Sequence, residues 1–209
     1  MSQKLVLASN NAKKAFEMQT LLAPLGLEIV SQAQLGVSEA EEPHFTFIEN
    51  ALAKARHAAA VTGLPAISDD SGLCVAALGG APGVHSARFA GEPKSDERNN
   101  QFLLEQLSNV PESRRNAWYY CCLALVRHAD DPCPMIADGQ WHGIILDAPR
   151  GEGGFGYDPL FWLPELGKSA AELDSAHKNA LSHRGVAMRQ MLERLRVQPL
   201  LSKEKSERP

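Results

Sequence analysis

Apolar and polar positions alternate in blocks along this chain, and the blocks predict strands and helices in alternation. Lys4–Ala8 is a short continuous apolar run, read as a buried first strand. Ala15, Met18, Leu22 and Leu25 recur at i, i+3, i+7 and i+10 and define one face of a helix. Leu27–Val30 reads as a second strand, and Ser38–His44 as an acidic loop holding Glu39, Glu41 and Glu42. Thr46-Phe47-Ile48-Glu49 matches the T-x-x-E capping box that opens a helix. That helix is expected to bury Ile48, Ala51, Leu52, Ala55 and Ala59, with Asn50, Lys54 and His57 on its other face. Pro65–Asp70 reads as an apolar strand running into two carboxylates, with a turn at Ser71-Gly72 and a resumed strand at Leu73-Cys74-Val75.

The second half continues with a glycine-rich turn at Leu78–Gly83, then Val84–Phe89, which carries Arg88. Asp96–Leu107 predicts a helix with Phe102, Leu103 and Leu107 on its apolar side. Ala117–Arg127 and Met135–Leu146 predict two long strands joined by a hairpin loop at Asp130–Pro134, with Trp118, Tyr119, Tyr120 and Trp141 packing a core or a subunit interface. Leu160–Leu163 reads as a short strand. A last helix carries Met188, Met191, Leu192 and Leu195 on one face, and Ser202–Pro209 reads as a frayed polar tail. The expected organisation is one domain over 1–201.

Composition changes the picture little. A chain of 209 residues with 44% hydrophobic residues suits a single globular domain. A net charge of −4 offers no general basic field for nucleic acid. There is no apolar run of about 18 residues to span a membrane. Met1 leads straight into a strand-like run, so no signal peptide is expected. Cys74, Cys121, Cys122 and Cys133 lack C-x-x-C spacing, so neither zinc nor a disulfide framework is indicated, and a reduced cytoplasmic setting is expected.

Candidate chemistry sits at four places. A strand, the polar turn Ser9-Asn10-Asn11 and a helix start make an anion site, because free N–H groups and the positive dipole end point outward. Lys13 and Lys14 lie in that first turn, where the dipole disfavours them, so either an anion draws them or they are solvated. Asp69 and Asp70 at a strand end repel each other unless a cation lies near, and a hydrated Mg²⁺ shared with substrate phosphates would answer that; a solvated acidic turn is the plain alternative. Gly151–Gly156 matches G-x-G-x-x-G, but it follows Pro149-Arg150 and enters Tyr157-Asp158-Pro159, not a helix, so it is no dinucleotide fingerprint. It is a glycine loop baring Phe155 and Asp158. Lys178 precedes the last helix, and His183 and Arg184 again put cationic or donor groups at a helix start. Together these parts would seat a nucleoside triphosphate, its base on Phe155 and its phosphates on Ser9–Lys14. No Walker A motif is present.

Six ordered motifs resemble the signatures of the inosine/xanthosine triphosphate pyrophosphatase family, above all its bacterial branch. They are Ser9-Asn10-Asn11-x-x-Lys14, Phe47-Ile48-Glu49-Asn50-Ala51, Ser68-Asp69-Asp70-Ser71-Gly72-Leu73, Gly79-Gly80-Ala81-Pro82-Gly83, Gly153-Gly154-Phe155-Gly156-Tyr157-Asp158-Pro159 and Ser182-His183-Arg184-Gly185. The resemblance runs from Lys4 to about Leu195, with one departure: Asn10 stands where the family usually has glycine. It implies an α/β fold with an elongated mixed sheet, flanking helices and two lobes around a central cleft, normally a homodimer. It implies Mg²⁺-dependent hydrolysis of ITP, dITP and XTP to monophosphate and pyrophosphate, which clears deaminated purine nucleotides from the pool. Carried over by motif, Asp70 is the general base and a metal ligand, with Asp69 and Glu41 or Glu42 completing the metal environment. Ser9, Asn10, Asn11, Ala12, Lys13, Lys14, Lys54 and Ser71 would hold the phosphates, Lys14 taking part in catalysis. Phe155, Gly156, Tyr157, Asp158, Lys178, His183 and Arg184 would hold base and sugar. Rival readings are a pyrophosphatase for other modified nucleotides, a non-catalytic nucleotide sensor or RNA-binding module, and a structural protein.

Overall fold

The computed structural model describes residues 3–200, without the side chains of Ala12, Lys13, Glu17 and Leu21. The tail read at Ser202–Pro209 therefore lies outside the described residues. The elements are β1 (Gln3–Leu7), α1 (Ala12–Leu22), β2 (Leu27–Ser31), α2 (Phe47–Thr62), β3 (Ala66–Val75), α3 (Asp96–Gln106), β4 (Asn116–Val126), β5 (Met135–Ile145), β6 (Phe161–Leu163), β7 (Lys168–Ser169), α4 (Ser175–Leu181) and α5 (His183–Val197), with short 3₁₀ turns between them. The strands form a seven-stranded sheet in the order β2-β1-β3-β4-β5-β6-β7. It is mixed: β1 runs parallel to β2 and β3, while β5–β6 and β6–β7 are antiparallel. The α/β class and the mixed sheet expected from the sequence are both present.

The chain divides into two compact units. The first takes the described chain through Asp69, Cys122–Ala137 and the part from Met188 onward; the second takes Asp70–Cys121 and Asp138–Ala187. In the first unit, β1 contributes Leu5, Val6 and Leu7, all fully buried, as expected of a parallel strand covered on both faces. Its register with β2 runs from Gln3↔Leu27 to Leu7↔Ser31, and with β3 it includes Val6↔Ala66 and Leu7↔Ile67. Val6, Ala8, Ala55, Ala58, Ala59, Ala66 and Val126 form one core cluster. The small side chains of α2 let its backbone approach the strands closely. Thr46 caps α2 by accepting from Glu49 N at 3.3 Å, and its hydroxyl donates to Glu49 Oε2 at 2.6 Å. The helix stops at Gly63, which takes the left-handed conformation (φ 66°).

In the second unit, Leu73, Val75, Leu103, Leu107, Ala117, Tyr119, Trp141, Ile145, Tyr157, Leu160, Phe161, Leu163 and Ala170 form a further core cluster. It is richer in aromatics; Tyr119 and Phe161 meet at 4.7 Å between centroids. α3 is capped by Ser95, which accepts from Arg98 N at 3.2 Å, and Phe102 packs edge-on against Phe89 at 4.9 Å.

Three sequence expectations need correction. Ser71-Gly72 is not a turn: β3 continues through it from Ala66 to Val75. Gly72 is not among the glycines with positive φ, and the burial of Leu73 and Val75 holds the segment extended. Ile48 is 43% exposed, because it sits in the first turn of α2, off the alanine face that meets the strands. Asn50, expected on the open polar face, is buried; its amide bonds both polar groups of the His44 main chain, at 3.1 and 3.2 Å. α4 and β7 were not read from the sequence.

Candidate active site

The first unit carries the polar turn, the acidic loop and Asp69. After β1, Asn11 N donates to Ser9 Oγ at 3.2 Å, and Asn11 Oδ1 accepts from Lys14 N at 3.1 Å. Asn11 thus caps α1, which begins at Ala12. Asn10 sits at no left-handed φ, so replacing the family's glycine creates no backbone strain. Its amide instead donates to Glu39 at 2.8 Å and accepts from Gln32 at 3.2 Å, tying the turn to the acidic loop. Lys14 Nζ lies 2.9 Å from each oxygen of Asp69, whose side chain is 1% exposed. A buried carboxylate offsets the unfavourable dipole, so a lysine in this first turn needs no external anion to explain it. The side chains of Ala12 and Lys13 lie outside the described residues.

The polar face of α2 grips the acidic loop. Lys54 pairs with Glu42 at 2.5 Å, and His57 Nε2 lies 3.0 Å from Ser38 O. With Asn50 on His44, three successive turns of one helix fasten 38–44. Glu41 stays exposed on that loop. Ser68, fully buried, donates its hydroxyl to Ala51 O, which locks β3 to α2 just before the two aspartates.

The second unit carries Asp70, Ser71, the glycine loop and the start of α5. Arg184 Nη2 donates to Ser71 Oγ at 3.3 Å, next in sequence to the half-buried Asp70. His183 stacks on Tyr119 at 4.8 Å and 11° between planes. Tyr119 O–H reaches Asp158 Oδ1 at 3.4 Å, and burial, reinforced by that carboxylate, pushes its pKa up, so the phenol remains a donor. Asp158 is 2% exposed, accepts from Phe155 N at 2.7 Å and pairs with Lys178. The Lys178 ammonium also sits 4.4 Å from the centroid of the Phe155 ring. Phe155 itself is 57% exposed.

Tyr157 and Asp158 have structural employment inside this unit. Tyr157 is buried, with its hydroxyl donating to Ser86 O at 2.8 Å. Asp158 forms the floor of the loop: a Cβ built on Gly154 would come 2.3 Å from Asp158 Oδ2, and Gly154 has φ 79°. Gly154→Ala is therefore expected to push the loop off Asp158 and break the Phe155 N–H bond to it, lowering stability by about 1.5–3 kcal/mol, as for one lost charged hydrogen bond. A thermal melt beside the NMR shift of the Phe155 amide checks this, and an unchanged Tm with an unchanged amide shift would argue against a loop moulded on Asp158.

Some residues of this unit escaped the sequence reading. Asp96 Oδ2 accepts from Gly156 N at 2.7 Å, and Asn100 Nδ2 donates to Gly156 O at 2.9 Å. Their i, i+4 spacing in α3 was visible, but not what they face across 56–60 positions of chain. Tyr119 was read as core without its hydrogen bond. Among the described residues no three His, Cys, Asp or Glu side chains converge as a preformed metal cluster, and none of the described helices is long and apolar enough to cross a membrane.

The mixed seven-stranded sheet with its flanking helices defines an α/β protein, and its first unit carries a capped helix-start turn beside a lysine-paired acid. The Ham1 family model matches residues 5–194, and the chain belongs to that family. A relative from Aromatoleum aromaticum, described as a dITP/XTP pyrophosphatase, is 69% identical over 200 residues, covering 96% of this chain and 100% of its own. One from Ralstonia nicotianae with the same description is 60% identical over 198 residues, covering 93% of this chain and 98% of its own. The solved HAM1 protein of Coxiella burnetii superposes with a TM-score of 0.91 at 48% identity, covering 93% of this chain and 99% of that one. A Mycobacterium abscessus structure described as a nucleoside-triphosphatase / dITP/XTP pyrophosphatase has a TM-score of 0.77 at 42% identity, covering 91% of this chain and 99% of that one.

Proposed function

We propose that this protein hydrolyses ITP, dITP and XTP between the α- and β-phosphates, releasing nucleoside monophosphate and pyrophosphate. The observation that carries the reading is the near-complete match to a relative described as a dITP/XTP pyrophosphatase, 69% identical over 200 residues. The proposed setting is the cytoplasm, and the proposed assembly a homodimer of a single domain in two lobes over 1–201, without nucleic-acid or membrane partners.

The phosphates are assigned to the first unit and to Ser71. Ser9, Asn10, Asn11, Ala12 and Lys13 form the α1 start, whose dipole favours an anion, although the Ser9 and Asn11 N–H groups already serve Leu7 O and Ser9 Oγ. An ammonium has three donors; Lys14 turns toward both oxygens of Asp69 and has a further N–H for a phosphate oxygen. Lys54, paired with Glu42, adds positive charge. Asp70 accepts the proton of the attacking water.

The carboxylates suit Mg²⁺, which takes hard oxygen donors and needs only one or two of them beside substrate phosphates. Asp70, Asp69, Glu41 and Glu42 are the candidate donors. Glu42 is engaged by Lys54 while Glu41 is exposed, which favours Glu41 of the two. When bound, Mg²⁺ would supply electrophilic pull on the phosphates and lower the pKa of water.

The base is assigned to the second unit. Lys178 covers one face of the Phe155 ring, and the purine would stack on the other. Gly156, its main chain held by Asp96 and Asn100, would line the base beside Phe155, while Tyr157 and Asp158 support the loop from beneath. His183 and Arg184 would donate to the 6-oxo group that hypoxanthine and xanthine share, where adenine presents an amino group. Guanine also has that oxo group, so its 2-amino group must be crowded or left without a partner.

Hydrolysis of ITP, dITP, XTP, ATP, GTP and dTTP with Mg²⁺, with products resolved by phosphorus NMR, tests the proposal. Pyrophosphate and monophosphate from ITP and XTP, with ATP and GTP nearly untouched, is the expected result. Orthophosphate release would move the point of attack, and binding without turnover would favour a sensor.

A further inference from the structure

We infer that Asp96 and Asn100 are positioning residues that hold the Phe155 ring in the plane a purine needs. The inference rests on the assignment of the base to Phe155. A ring stacked on a flat base must be oriented before the base arrives, or binding has to order it. Phe155 is poorly placed for that by its own sequence: it is 57% exposed, and Gly154 and Gly156 on either side have φ 79° and 62°. Glycine costs more backbone entropy to order than any other residue.

The ordering comes from side chains. Asp158 accepts from the Phe155 N–H at 2.7 Å from beneath. Asp96 then accepts from the Gly156 N–H at 2.7 Å, and Asn100 donates to the Gly156 carbonyl at 2.9 Å. Both polar groups of the residue after Phe155 are thus held from one face of α3. The helix is a firm base for this. Ser95 caps it, Leu103 and Leu107 are fully buried, and Asn99 bonds the Ala90 N–H at 2.8 Å and the Ala87 carbonyl at 3.1 Å.

A purely structural reading of Asn100 fits less well. Asparagine is a weak helix former in a helix interior. Its Oδ1 is buried and accepts no hydrogen bond from the described residues. Alanine there would suit α3 better by propensity and would bury no such oxygen; what asparagine adds is the bond to Gly156. Asp96 does suit the first turn of a helix, but its carboxylate is also committed to the loop.

The test uses the full-length protein with ITP and with ribose 5-triphosphate, which has the phosphates but no base. Asp96→Ala and Asn100→Asp, the latter replacing the donor with an acceptor, are expected to raise KM for ITP roughly tenfold, with kcat within about twofold. KM for the baseless triphosphate should not change. Asp96→Asn keeps an acceptor oxygen and should restore most of the affinity for ITP. In a Phe155→Ala background, Asp96→Ala should add nothing further. NMR order parameters give a readout independent of activity: the amides of Phe155 and Gly156 are expected to fall from about 0.85 to below about 0.6 in Asp96→Ala. Unchanged order parameters with unchanged KM for ITP, or equal rises in KM for both substrates, would overturn the positioning role. If the wild-type protein turned over no nucleotide, the functional assignment would fall, and the order parameters alone would still decide whether α3 fixes the loop.

Discussion

Asp70→Asn is expected to leave the protein folded and remove nearly all of its turnover of ITP and XTP. Asparagine has the same size and shape, and Asp70 is half-buried near the middle of β3, so the strand should accept it. Ser68, which anchors this part of β3 to α2, and the Lys14–Asp69 pair are untouched by the change. What disappears is a proton acceptor and a negative charge. Loss of a general base alone typically costs ~10²–10⁴-fold in rate. If the same carboxylate also helps to hold Mg²⁺, the loss adds to that. The check is kcat for XTP under saturating Mg²⁺ beside a thermal melt of the same preparation. Turnover near that of the wild type, in folded protein, would take Asp70 out of the chemistry.

Gly139→Ala should be severely damaging for a single methyl. Gly139 lies in β5 against the start of α5. A Cβ built there would come 2.2 Å from the His183 carbonyl oxygen, 2.8 Å from Ala187 N and 2.9 Å from Val186 Cβ. Two of these are backbone atoms of α5, which cannot rotate away as a side chain would. The helix must shift, and overpacking of this kind costs ~1–3 kcal/mol. For a chain of this length each kcal/mol lowers Tm by ~2–4 °C. The shift moves His183 off Tyr119 and Arg184 off Ser71 together, since both sit in the first turn of α5. The expected result is a lower Tm together with a smaller ratio of kcat/KM for XTP over GTP. A Tm within about 1 °C of wild type, with that ratio unchanged, would show that α5 has room to spare.

Much of the candidate site could be read because its residues are local in the chain. The Ser9–Asn11 turn, the Asp69-Asp70 pair and the glycine loop each announce themselves within a few positions. Partners were not legible. Lys14, read as drawn by an anion or solvated, is bonded to Asp69, a residue 55 positions away. Lys54 and His57 looked like an open polar face and instead fasten the acidic loop. Tyr157 and Asp158, read as substrate contacts, have partners inside their own unit that spacing did not show: Ser86 for Tyr157, and Tyr119 and Lys178 for Asp158.

By itself, the sequence determined the α/β class, the strands and longer helices, and the identity of the chemical groups. Hydrophobic period, caps and glycines are short-range signals, and an ordered set of motifs is specific enough to carry a family. Only the tertiary structure decided which charged groups neutralise one another, that β3 passes unbroken through Ser71-Gly72, and that α3 reaches Gly156. Those outcomes turn on burial and on pairs far apart in the chain. A buried charge or amide needs a partner wherever the fold can supply one, and local spacing does not record which partner that is.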